Sequence, residues 1–450
     1  MKKDKFSRSS RERSTALVDP QTLQGRLQRR LHCGIQTNYA GIFLMIPYLQ
    51  DMCLEDNIKL LNLPEGGIPA LKNFLYLSIL EMLGGSLSFK GKDLAPALAA
   101  GLPHHPSASC LHRFLGKPML QDVDAFMKAV GRRQVETGQI QGDYLACDTS
   151  LALYSGQIDI QKDKVSQEKY PHKAVRIYVV VDQGFRNPLY IQAAYPGKGP
   201  VSVGTQMVDA SLEILGDRKT TFIFDKWFSV GDLLEYIKGQ GQKFITLLKR
   251  HANRIEEMES IPLDQFHQYA EYERITHIPV CLRNYSSEAR LVVVELTVEE
   301  ERLLFGYLTN DETTPDTKIA ELYSGRWDSE FWIEEMSYMN LKRLPSSQLN
   351  KISFGLAAKL VAYNAMSAFR ANLGEDYIQH NVETIYNMFF QEQALIKLNN
   401  HEELEVTIYG HQHGEVLHSM YNNLNSKLRE QGIDPGVSWL GGYPLKFVFK

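Results

Sequence analysis

The chain has 450 residues, 44% of them hydrophobic, 10% aromatic and 23% charged. That composition excludes wholesale disorder and fibrous structure, and at roughly 150 residues per domain the length allows about three domains. Lysine and arginine number 49 against 53 acids, so the net charge is −4 and any nucleic-acid partner has to be held by local patches.

Five cysteines (Cys33, Cys53, Cys110, Cys147 and Cys281) are scattered without a CxxC pair. That usage argues for a reducing compartment and against a disulfide scaffold or a cysteine-rich zinc site. The first 30 residues carry nine Lys/Arg and three Asp/Glu with no apolar run behind them, unlike a secretory signal. Apolar runs such as residues 40–49 fall short of the roughly 20 residues that a membrane span needs. A cytoplasmic protein with no membrane partner is expected.

Residues 1–30 read as a basic flexible arm (Lys2, Lys3, Lys5, Arg8, Arg11, Arg13, then Arg26, Arg29 and Arg30). Such an arm adds sequence-independent affinity for DNA, or else serves as a solubilising tail. Residues 31–140 are helical in pattern. Leu71, Phe74, Leu75, Leu77, Ile79 and Leu80 predict an apolar helix stopping at Gly84-Gly85. A short helix is predicted to start at Ser107 or Ser109, either of which can serve as N-cap, with His112 and Arg113 outward. Short helices and tight polar turns suit a helix-turn-helix DNA-binding region and equally a plain bundle.

From Tyr144 the period turns strand-like. Strands are predicted over 144–151, 175–181, 188–195, 220–225 and 243–248, with helices over 206–215 and 229–237. Strands first and then alternation with helices predicts an α/β layer with a mixed sheet, its first part spanning 141–250. Residues 251–317 break the alternation: strands over 274–278, 290–296 and 303–308 follow one another without helices, as an antiparallel insertion does. Helices over 318–339 and 352–373 place the last core helices in 318–375. The final stretch, 376–450, is mixed in pattern and is left as a candidate dimerisation region. Gly197, Gly199 and Gly204 make no dinucleotide fingerprint and GxxxxGK[ST] is absent, so no nucleotide cofactor is expected.

Three acids stand where a catalytic metal site would want them. Asp148 lies inside a strand, where aspartate is depleted and a buried charge needs compensation. Asp225 closes a buried strand, and strand C-terminal ends open on binding crevices in α/β folds. Glu330 falls early in a predicted helix, where Tyr323, Arg326 and Glu330, three and four residues apart, share one face. Carboxylates are hard oxygen ligands suited to Mg2+, and three of them can hold two ions roughly 3.5–4 Å apart. Each has a plainer reading: a hydrogen-bonded structural aspartate, a turn-starting aspartate, and a glutamate easily confused with Glu334 or Glu335. Arg326 suits a phosphate clamp or a surface ion pair, and Tyr323 a DNA contact or a core cap. The histidines at 104, 105, 411, 413 and 418 read as solvated loop residues.

The order Asp148, Asp225, Glu330 resembles the DDE group of cut-and-paste insertion-sequence transposases. It is most similar to the members with a β-strand insertion between the second aspartate and the glutamate. The gaps are 77 and 105 residues, and the antiparallel segment falls in the longer one. Tyr195-Pro196-Gly197, Phe244-Ile245-Thr246 and Leu308-Thr309-Asn310 agree with the group. Tyr323, Arg326 and Glu330 match its closing signature of Tyr, two residues, Arg, three residues, Glu, six residues, Lys. The signature lysine falls on Ser337, with Lys342 the nearest substitute, and the small residue expected two after the second acid is Trp227. The resemblance covers about residues 100–370.

The resemblance implies an RNase H-like core and a DNA transposase, an enzyme of polynucleotidyl transferase and endonuclease chemistry. Its expected residues are Asp148, Asp225 and Glu330 as catalytic and metal-ligating groups, and Tyr323, Arg326, Lys342 and Arg113 as DNA-binding groups. The expected cofactor is Mg2+, with Mn2+ as substitute. The expected partners are double-stranded DNA, as transposon ends and target, and a second copy in a paired-end complex at the bacterial nucleoid. Two other readings stay open: a catalytically inactive DNA-binding derivative, and a metal-dependent nuclease that does not join strands.

Overall fold

Leucines every fourth residue, Leu23, Leu27 and Leu31, put one apolar stripe on an otherwise polar segment, and that segment folds as helix α1 (Leu23–Cys33). Thr22 caps it by accepting from the Gly25 N–H at 3.0 Å, and Leu27 and Leu31 are fully buried. The flexible arm expected up to residue 30 is therefore corrected from residue 23 onward: the arginines point out while the leucines pack inward. The computed structural model describes residues 21–450 apart from 65, 90, 165–169, 272, 299–300 and 343. Lys2, Lys3, Lys5, Arg8, Arg11 and Arg13 lie outside the described residues.

After strand β1 (Ile35–Thr37) and several short helices, α2 (Ala70–Met82) ends at Gly84 and Gly85, both at positive φ, where glycine is unstrained. Of the two candidate caps for α3 (Ala108–Leu115), Ser107 is the one used, accepting from the Cys110 N–H at 3.2 Å. The α4 helix (Leu120–Glu136) completes the helical region.

The main sheet has ten strands. They are β2 (Tyr144–Leu153), β3 (Lys162–Asp163), β4 (His172–Asp182), β5 (Pro188–Ala194), β6 (Thr221–Phe224), β7 (Lys243–Leu247), β8 (His267–Ala270), β9 (Glu273–Cys281), β10 (Glu288–Val298) and β11 (Glu301–Thr309). The central order is β5-β4-β2-β6-β7, with β4 antiparallel to both β5 and β2, and β2, β6 and β7 parallel. Counting these five alone gives 3-2-1-4-5, the order of an RNase H-like core. Helices α5 (Pro200–Leu215) and α6 (Gly231–Gly239) make the two crossovers that parallel neighbours require. The insertion extends the same sheet: after helix α7 (Ala252–Glu259), β8 to β11 run as an antiparallel meander, and β11 returns beside β7 with Leu308 opposite Thr246.

The helix expected over 318–339 is two helices, α8 (Asp316–Ser324) and α9 (Trp327–Tyr338), parted at Gly325-Arg326. The 25-residue α10 (Leu349–Leu373) is apolar and long enough to cross a bilayer, although its polar residues break it into shorter apolar runs. It is instead buried almost throughout, packed on α2, α4 and β5. Phe354 stacks on Phe74 at 5.5 Å between ring centroids, and its one buried lysine, Lys359, is held by Glu81 and the Met339 carbonyl. A second sheet of five strands contains β1, β12 (Ala394–Leu398), β13 (Leu404–Ile408), β14 (Gly436–Val437) and β15 (Tyr443–Phe449). It joins the two ends of the described chain, with Ile35 opposite Ile396 and α1 against β12.

Candidate active site

Register decides which side chains meet. Cys147 on β2 stands opposite Phe224 on β6, so Asp148, within β2, and Asp225, the first residue past β6, are neighbours across the two parallel strands. Asp148 is 8% exposed. Its Oδ1 accepts from the Thr149 N–H at 2.7 Å, and its Oδ2 accepts from Arg326 Nη1 at 2.9 Å and from Ser329 Oγ at 3.1 Å. Burial pushes its carboxyl up from the usual aspartate range; Arg326 pulls it back, and the charge of Asp225 pushes it up further. Asp225 caps the single turn Lys226–Phe228 by accepting from the Trp227 N–H at 2.9 Å, and its carbonyl accepts from Thr246 Oγ1 at 3.1 Å. It is therefore both the strand end and the start of a turn.

Glu330 comes from the first turn of α9. Its Oε1 accepts from Arg326 Nη2 at 2.6 Å, so one guanidinium joins Asp148 to Glu330. The same guanidinium lies 5.7 Å from the Tyr323 ring centroid, within cation–π range. Tyr323 packs on Tyr307 at 4.8 Å, and burial pushes its hydroxyl up. The helix break at Gly325 leaves this shared face of Tyr323, Arg326 and Glu330 intact. Arg326 itself is 12% exposed, and its Nε is buried without a hydrogen-bond partner among the described residues.

The donors are chemically right for a hard divalent ion, since Asp148, Asp225 and Glu330 offer only carboxylate oxygens. Among the described residues, no three His, Cys, Asp or Glu side chains converge as a metal-holding group. The positive charge shared by Asp148 and Glu330 is that of Arg326.

The neighbouring acids of α9 differ in their surroundings. Glu335 is 5% exposed and wholly engaged, with Arg370 Nη1 at 2.9 Å, Tyr363 Oη at 2.5 Å and the Val382 N–H at 3.1 Å. It is a structural anchor between helices. Glu334 is exposed on α9.

Lys342 is exposed in the turn after α9, and Ser337 bonds only its own helix through the Ile333 carbonyl. Arg113 is exposed on α3, with Nε on the Ser109 carbonyl at 3.4 Å. No described hydrogen bond or ion pair ties Lys342 or Arg113 to the acids.

Sequence reasoning missed Ser329, whose partner Asp148 is 181 residues away; a serine one turn after Arg326 carries no signal of its own. It also left Trp227 unexplained. That ring stacks on Tyr178 at 6.5 Å and the Arg176 guanidinium lies 5.5 Å from its centroid, so it fills space beside Asp225. Two of the histidines read as solvated, His105 and His411, need correction. His105 lies between Tyr76 Oη and the Asp93 carbonyl, each at 2.8 Å. The His411 ring packs tilted against Phe389 with its side chain 1% exposed, and burial pushes its pKa down to about 4.

Residues 145–365 match the profile of the family described as "Transposase DDE domain", an interval that contains all three acids and the insertion. No curated protein matches the sequence. Among solved structures, the chain is similar to one described as a piggyBac transposase synaptic complex with hairpin DNA, determined by cryo-EM. The identity is 12%, the TM-score 0.42, and the alignment covers 77% of this chain and 76% of that one.

Proposed function

Residues 145–365 belong to the transposase DDE domain family, and from that premise we propose that this chain binds the terminal inverted repeats of its own element and catalyses metal-dependent strand cleavage and strand transfer. The observation that carries the reading is the β2–β6 register, which makes Asp148 within β2 a neighbour of Asp225 at the C-terminal end of β6. Asp148, Asp225 and Glu330 are the proposed catalytic residues and the proposed ligands of Mg2+, with Mn2+ as substitute.

Asp148, Asp225 and Glu330 would hold divalent ions there through their carboxylate oxygens, and the ions would supply Lewis-acid chemistry at the scissile phosphate. The chain's own residues set the rest. Thr149, Ser329 and the Trp227 N–H fix the orientation of the two aspartates. Arg326 pairs with both Asp148 and Glu330 in the protein alone, and its planar fork suits a DNA phosphate that competes for it. Tyr323 steadies that fork from below. Lys342 and Arg113 are proposed contacts to the DNA backbone away from the centre, and the paired ends are held by a homodimer.

One alternative has an observation of its own. The absence of a converged metal group among the described residues, with Arg326 between two of the acids, favours a DNA-binding derivative without turnover. Supercoiled plasmid carrying the element's ends, incubated with the full chain, Mg2+ and target DNA, separates the readings. Cleaved 3′ ends linked to target support a transposase, and cleavage without joining indicates a nuclease. Binding without either product selects the inactive derivative.

A further inference from the structure

A hollow of about 470 Å³ opens where the core meets the insertion, and none of the residues discussed so far uses it. One wall begins at Ser229, four residues after Asp225, and continues into the start of α6. A second wall is Lys249, His251 and Arg254, just past β7. The third is Arg283 and Asn284, in the turn between β9 and β10. Thr246, which bonds the Asp225 carbonyl, is three residues before Lys249, so the hollow starts within about 10 Å of extended chain from the proposed centre.

The walls are fastened to one another. A Cβ on Gly231 would lie 1.9 Å from the Arg283 carbonyl oxygen, so the insertion turn rests directly on the first residue of α6. Asn284 Nδ2 donates to Asp232 at 3.1 Å, Ser286 donates twice to Glu235, and Arg254 Nη2 donates to the Cys281 carbonyl at 2.6 Å. Arg254 is further neutralised by Glu257. Lys249, His251 and Arg283 differ from it. They are partly or fully exposed, and none forms an ion pair among the described residues. The one acid in the lining, Asp232, is already engaged by Asn284. Free cations on a rigid concave rim match a polyanion in both charge and shape.

We propose that this rim, through Lys249 and Arg283, binds backbone phosphates of the DNA strand leaving the proposed centre on the insertion side. The inference rests on the transposase reading and assigns the insertion a direct part in holding DNA.

The test is fluorescence anisotropy of the full chain on end-sequence duplex across a salt series, for wild type and the double variant Lys249→Ala/Arg283→Ala. Each lost phosphate contact makes the slope of log affinity against log salt shallower by about 1, so a change of about 2 is expected with an unaltered thermal melt. The pair Lys249→Arg/Arg283→Lys, which keeps both charges, is expected to retain the wild-type slope. Wild-type affinity and slope in the alanine pair would overturn the proposal while leaving the transposase reading intact. Wild-type protein that neither binds nor cuts the duplex would overturn both.

Discussion

Arg326 reaches across 178 residues of chain to hydrogen-bond Asp148, Nη1 to Oδ2 at 2.9 Å, and both side chains are 12% exposed. Removing one partner of a buried pair leaves the other charge uncompensated. Arg326→Ala is therefore expected to destabilise the fold at pH 7 by about 3 kcal/mol. Asp148 already has a raised pKa, and without the guanidinium it rises further, so protonation relieves the cost as the pH falls. Urea unfolding at pH 7 and pH 5 checks this: the deficit should shrink at pH 5, and an equal deficit at both would show that Asp148 does not depend on Arg326.

Asp182, at the end of β4, makes a pH prediction away from the proposed centre. Burial pushes it up to about 6, against N–H bonds from Gly142 at 2.8 Å and Gln141 at 3.4 Å that pull it down. An acid with a raised folded-state pKa costs nothing below the unfolded value of about 3.8. Between about 3.8 and about 6 the unfolded chain ionises more readily, so the wild type loses stability as the pH rises. At 1.36 kcal/mol per pKa unit the loss approaches about 3 kcal/mol. Asp182→Asn keeps the acceptor for Gly142 and cannot ionise. Its unfolding free energy relative to wild type should improve by about 2–3 kcal/mol from pH 4 to pH 7. A difference that stays flat across that range would refute the assignment.

Glu330 and Glu335 should separate cleanly. Glu335→Ala breaks a pair whose members are 2% and 6% exposed and is expected to cost about 3–5 kcal/mol. Glu330 is 39% exposed, so Glu330→Ala should cost less than about 1 kcal/mol while abolishing end cleavage. Thermal melts beside cleavage assays decide it, and a Glu330→Ala protein that melts like wild type and still cuts would remove Glu330 from the site.

Gly231 owes its identity to the Arg283 carbonyl, 1.9 Å from where a Cβ would sit. Gly231→Ala must push the insertion turn off α6, at an expected cost of about 1–3 kcal/mol. Hydrogen exchange should then quicken at residues 282–287. Unchanged exchange and stability would mean that the turn is not fastened there.

The five core strands were legible because β-branched and apolar runs of the right length ended at turn residues, as from Val175 to Val181 before Asp182. The insertion was legible because its strands follow one another without helices. Register was not, since nothing local in Cys147 or Phe224 says that they stand opposite each other. The second sheet escaped for a related reason: β1 is three residues long and its partner β12 is some 360 residues away, so its stabilisation is entirely tertiary. The break at Gly325 was hidden because apolar spacing continues through it. At the site, residue types announced the acids, while Arg326 as the link between two of them, and Ser329 on Asp148, emerged only from packing.

The account's central claim is that Asp148 and Asp225 act together on one phosphodiester. Its most direct test is end cleavage of a supercoiled donor plasmid by the full chain in Mg2+ or Mn2+, with wild type beside Asp148→Ala and Asp225→Ala, each shown to be folded by circular dichroism. The expected result is cutting by wild type and none by either variant. Cutting by wild type and equal cutting by either variant would contradict the claim.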